Sequence, residues 1–200
     1  MKRTAFTLLA AFASTPALAD PLTDALKAGG GTICFTRSYD AAWLKAHRGQ
    51  TVRDVKFAIS TRPGQSWPAL RMSMTGAGAP LYLFGGCGWM EGDLNRGGQN
   101  DVLIKTFKPT SGVGCHLMTD VTGGSAEEGG DFPVAWQSGG KTIEVHLDES
   151  MAAWRSFDTD RRYAKYVAVK PGDRIIRLNR APAAACRELV EKFAPGHPDY

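Results

Sequence analysis

Residues 51–75 read TVRDVKFAISTRPGQSWPALRMSMT. Val55, Phe57 and Ile59 alternate with Lys56 and Ala58, and Leu70, Met72 and Met74 alternate with Arg71, Ser73 and Thr75. Successive side chains leave a pleated backbone on opposite sides, so this alternation marks two strands with one buried face each. The same period returns at Ile143, Val145 and Leu147, which alternate with Thr142, Glu144 and His146.

Working outward, further strands are expected at Thr32 to Arg37, Leu81–Phe84, Val102–Phe107, Val113–Thr119, Phe132–Trp136, Tyr166–Val169 and Ile175–Leu178. Gly, Pro, Asn or Asp residues separate many of them. The connections suit antiparallel hairpins and are mostly too short for crossover helices. The chain is therefore read as mainly β: a single-domain antiparallel β-barrel or β-sandwich of about eight to ten strands. The 23 glycines and 11 prolines belong to its turns.

Helices are expected at the two ends. Asp20-Pro21 opens a short helix that Gly29-Gly30-Gly31 stops, and Asp40 caps a second one from Ala41 to His47. In the last turn of that helix, His47 suits the helix dipole better than it suits catalysis. A C-terminal helix is expected from Pro182 to about Phe193. Its apolar stripe holds Cys186, Leu189, Val190 and Phe193 at i, i+3, i+4 and i+7.

The first 19 residues stand apart. Lys2-Arg3, an apolar run over Ala5 to Phe12, and Ala17-Leu18-Ala19 follow the order of a secretory signal peptide. The run is too short to span a bilayer, and no later segment is long and apolar enough to do so. The mature chain is expected to be residues 20–200, periplasmic or secreted, after cleavage following Ala19. The whole chain carries 24 Lys+Arg against 20 Asp+Glu; without Lys2 and Arg3 the formal charge falls from +4 to +2. That is little support for nucleic-acid binding, which needs a dense basic face. The remaining charge forms an acidic middle between basic ends, which mixing of these segments in space would largely even out.

All four cysteines lie in the mature chain, as expected of a disulfide-braced exported protein. The expected pairs are Cys87–Cys115, across neighbouring strands, and Cys34–Cys186, tying the first strand to the inward stripe of the last helix. No C-x-x-C is present, which argues against a redox dithiol or a zinc knuckle.

Chemistry is thinly signalled. Asp93, Asn95, Gly98 and Asp101 match positions 1, 3, 6 and 9 of a calcium loop, but position 12 is Ile104 rather than a bidentate Glu. A polar glycine-rich turn accounts for the same residues and is the preferred reading; calcium is the one cofactor considered. Glu127, Glu128 and Asp131, with Asp120 nearby, form a second acidic loop, read as solvated. Glu144 and His146 share a strand face and could serve a metal or a cleft, or lie on an exposed polar face. Cys115 and His116 point to opposite faces and cannot act as a pair. Gly76-Ala77-Gly78 lacks the third glycine of a dinucleotide fingerprint. The five tryptophans, Trp43, Trp67, Trp89, Trp136 and Trp154, are read as packing rather than as a pocket lining.

The expected function is binding, leaning away from an enzyme, with a small molecule or an envelope protein as partner. The alternatives are a secreted hydrolase with an acidic/His site and an enzyme-inhibitor protein. A small-ligand binder should hold an apolar cavity inside the barrel or sandwich. A hydrolase should bring Glu144, His146 or the 120–131 acids together in a concave site. An inhibitor should have a filled core and one protruding loop.

Overall fold

The computed structural model describes residues 20–61, 67–91, 111–119, 129–156 and 164–192. Of the two expected architectures, the chain adopts the barrel. Eight strands close antiparallel in the order β1-β10-β7-β6-β5-β4-β3-β2. They are β1 (Thr32–Ser38), β2 (Val52–Ser60), β3 (Ala69–Gly76), β4 (Leu81–Glu91), β5 (Ser111–Leu117), β6 (Asp131–Gln137), β7 (Thr142–His146) and β10 (Ile175–Ala181). The remaining two strands, β8 (Ser150–Ala153) and β9 (Lys165–Ala168), pair as a separate hairpin. The expected strand at 102–107 lies outside the described residues.

The alternating apolar residues point inward. Phe35 faces Phe57 across β1 and β2, their rings edge to face at 6.4 Å. Met72 faces Leu83 across β3 and β4, and Val134 faces Val145 across β6 and β7. All six are fully buried in one core. An eight-stranded barrel is just wide enough for its own side chains to fill it, or for one small ligand. Here apolar side chains of the described residues occupy the interior.

Both ends of the barrel are covered. Helix α1 (Pro21–Ala28) is capped by Asp20, whose carboxylate accepts from Thr23 N at 2.8 Å. It sends Leu22 and Leu26 into the core near the start of β1. Gly30 and Gly31, at φ 65° and 87°, make the turn from this helix into β1. At the other end, the β8–β9 hairpin contributes Met151, Ala153, Val167 and Val169 to the same core. Tyr82 of β4 and Trp154, just after β8, exchange backbone hydrogen bonds of 2.9 and 2.8 Å, which attach the hairpin to the barrel wall.

Both expected disulfides form. Cys87 and Cys115 are directly opposed on β4 and β5, with Cα atoms 4.2 Å apart. Cys34–Cys186 spans a sequence separation of 152 with Cα atoms 5.8 Å apart. The C-terminal helix differs from expectation. Ala183–Cys186 is a 3-10 turn, and only Arg187–Lys192 (α3) is α-helical; Phe193 lies outside the described residues. A tight first turn is common at a helix N-terminus, and here the disulfide fixes its last residue to β1. Leu189 packs with Ala69, Phe84, Met118 and Trp154 on the outside of the wall.

That outer layer changes the reading of Arg71. Its alternation placed it on the solvent face, yet it is 1% exposed. Its Nη1 donates to Ser60 Oγ at 2.9 Å, and its guanidinium lies 5.3 Å from the centre of the Phe84 ring. Six consecutive residues of β3, Ala69 to Met74, are buried because this part of the wall is covered on both sides.

Candidate functional site

The site begins with the turn between β3 and β4. Gly76 ends β3, and Ala77-Gly78-Ala79-Pro80 reverses the chain into β4. A Cβ on Gly76 would collide with the Thr51 carbonyl, so only glycine lets the start of β2 approach this closely. Gly76, weighed in the sequence as part of a nucleotide motif, thus serves the close approach of two strands. Opposite them, the 3-10 turn Pro171–Asp173 leads from β9 into β10. Asp173, 4% exposed, accepts from Thr51 N at 2.8 Å, Thr51 Oγ1 at 2.6 Å and Val52 N at 3.0 Å. This carboxylate pins the β9–β10 connection to the start of β2.

Between these walls lies a cleft of about 580 Å³, a volume in the range of small-molecule sites. One wall runs from Met74 to Ala79; the other runs from Tyr166 to Lys170. Val52, Leu81, Val167 and Val169 give it apolar surface, and Thr51 and Thr75 give it hydroxyl groups. Arg155 and Lys170 bring positive charge, and Asp173 is the one carboxylate among the described lining residues. Arg155 Nη1 donates to Ala79 O at 3.3 Å, which lays its side chain across the cleft. Among the described residues, no carboxylate forms an ion pair with Arg155 or Lys170. Tyr166 is 59% exposed.

Glu144 and His146, singled out in the sequence, do come together, but they are not among the residues lining this cleft. His146 Nε2 donates to Glu144 Oε1 at 2.9 Å, and Arg177 Nη2 donates to Glu144 Oε2 at 2.8 Å. His146 is only 3% exposed, so the strand face expected to be open and polar is closed to water there. Burial holds the imidazole below its ordinary pKa, against the opposing pull of Glu144. For Glu144, burial pushes upward, but the hydrogen bonds and charges of Arg177 and His146 outweigh it and the carboxyl is held low. The cluster is a neutral imidazole beside an ionised carboxylate whose two oxygens are both engaged. Among the described residues, no group of three or more His, Cys, Asp and Glu is placed to hold a metal ion.

Other expectations fall as follows. Asp93, Asn95 and Asp101 of the calcium loop, and Asp120, Glu127 and Glu128 of the acidic loop, lie outside the described residues. His47 lies just past α2 (Ala41–Ala46). Its Nδ1–H donates to the Trp43 carbonyl at 2.9 Å, and its ring stacks on Trp43 at 3.9 Å, a structural role as expected. His116 lies on the outer wall against Gly86, on the opposite face from Cys115. Trp154 is buried, and Trp89 and Trp136 meet edge to face at 6.1 Å against the core; Trp43 and Trp67 are exposed. None of the five lines the cleft.

Sequence reasoning missed Arg155, Tyr166, Lys170 and Asp173 as site residues. The available signal was weak: a strand with an exposed aromatic, followed by Lys-Pro-Gly-Asp. Comparison of the chain with protein-family models, curated proteins and solved structures finds no match.

Proposed function

We propose that this chain is exported, loses residues 1–19 after Ala19, and works in the periplasm as a binding protein that takes a small ligand in the cleft between the β8–β9 hairpin and the β3–β4 turn. The observation that carries this reading is the cleft itself, with its volume of about 580 Å³ and mixed lining of cations, hydroxyls and apolar side chains. Such sites combine apolar surface with a few placed polar groups. Two disulfides support export, because structural disulfides persist in oxidising compartments. Among the described residues no helix is long and apolar enough to cross a membrane.

The hydrolase alternative rests on Glu144 and His146. It gains their contact but not a place in the cleft, and binding is the better-supported reading. A thermal-shift screen of small molecules against the exported protein tests it. The comparison variant is Gly78→Trp, which adds an indole where a Cβ meets nothing within 4 Å. Compounds that raise the melting temperature of the parent should lose that effect in the variant. Stabilisation that survives the added indole would place the ligand elsewhere and overturn the reading.

A further inference from the structure

We propose that the cleft selects an amphiphilic anion: a small molecule carrying a carboxylate, sulfonate or phosphate group on an apolar or aromatic body. The inference rests on the reading of the cleft as the binding site and names the class of ligand it takes.

Charge provides the first argument. Among the described residues, two cations line the cleft against one carboxylate. Three donors from Thr51 and Val52 already converge on that carboxylate, Asp173, so its oxygens are occupied within the fold. Arg155 and Lys170 have no carboxylate partner among the described residues. Arg155 uses one Nη on the Ala79 carbonyl, which orients the planar guanidinium and leaves further N–H donors for a ligand. An anion gains charge-assisted hydrogen bonds there that a neutral compound cannot form.

Shape and polarity provide the second. The valines that line the cleft, Val52, Val167 and Val169, also belong to the barrel core, so the apolar part of the lining is backed by tight packing. Tyr166 offers an open aromatic face beside it. β9 is paired only with β8 among the described residues, and residues Tyr166 to Lys170 form one wall of the cleft. A wholly polar anion would leave the valines and Tyr166 without a partner; a wholly apolar ligand would bury the remaining N–H donors of Arg155 without an acceptor.

The probes are 8-anilinonaphthalene-1-sulfonate, an aromatic anion, and N-phenyl-1-naphthylamine, its neutral counterpart, both read by fluorescence on the folded, oxidised protein. The variants are Arg155→Gln, Lys170→Gln, their combination, and Gly78→Trp, each checked by circular dichroism and melting. The anion should bind at least about tenfold more tightly than the neutral probe. The double charge variant should weaken the anion by about tenfold or more, as loss of charge-assisted hydrogen bonds implies, and leave the neutral probe unchanged. If Gly78→Trp abolishes binding but the charge variants do not weaken the anion, or the neutral probe binds equally well, the anion inference fails and the cleft reading stands. Anion binding that ignores Gly78→Trp overturns both, and no anion binding at all overturns the anion inference.

Discussion

At the scale of single residues, buried polar groups carry most of the testable content. Asp173 satisfies two backbone N–H groups and a hydroxyl at the start of β2. Asp173→Ala would strand these donors and should cost about 3 kcal/mol of stability by urea unfolding, since each buried orphan costs about 1–3 kcal/mol. An unchanged unfolding midpoint would show that water replaces the carboxylate without loss. His146 makes a prediction about pH. Its folded pKa is held below the unfolded value, so in the window between them the unfolded chain binds more protons. Stability present above about pH 6.5 is therefore lost as pH falls through the folded value. Glu144, also lowered, adds loss in the same direction at more acid pH. Melting temperature should fall on going from pH 7 to pH 5, and His146→Gln should flatten that fall. Equal slopes in parent and variant would remove His146 from the account.

At the scale of elements, the β4–β5 ladder separates two kinds of glycine. Gly85 faces Leu117, and a Cβ there would collide with the His116 carbonyl. Gly88, three residues on, has nothing within 4 Å of its Cβ position. Gly85→Ala should destabilise by more than about 3 kcal/mol, while Gly88→Ala should stay within about 0.5 kcal/mol of the parent. Denaturant melts of the two variants decide this, and similar values would refute it. Elements also differ in how well the sequence announces them. The long alternating strands β2, β3 and β7 are legible because burying one face imposes a period of two. β8 is not: Ser150-Met151-Ala152-Ala153 is four residues long and half alanine, with no β-branched signal. Its place comes from pairing with β9 and from the attachment of Trp154 to Tyr82.

At the scale of the whole molecule, Cys34–Cys186 joins the first barrel strand to the last helical segment. The buried cysteines pack with Ala58, and Val190 packs against them. Replacing both cysteines by serine should lower stability by about 2–4 kcal/mol, mainly because the unfolded chain regains the freedom of a long loop. The amides of Arg187–Lys192 should also exchange faster with solvent, while those of β5 and β6, held in the ladder across from Cys87–Cys115, should stay protected. Equal exchange in all these segments would mean that the barrel and its C-terminal layer open together.

By itself the sequence determined the strand-rich class and the helix starts at Asp20 and Asp40, and it favoured the two disulfide pairs that the tertiary structure forms. The class and the helix starts follow from local physics: the two-residue pleat and the capping of orphan N–H groups. Closure of the sheet into a barrel, the burial of Arg71 and His146, and the cleft itself were decided only in the tertiary structure. The cleft gathers Thr51, Gly76, Arg155, Tyr166 and Asp173 from positions up to about 120 residues apart. No periodic pattern links such residues. They meet because a closed barrel has ends, and the hairpin across one end leaves a gap beside the β3–β4 turn.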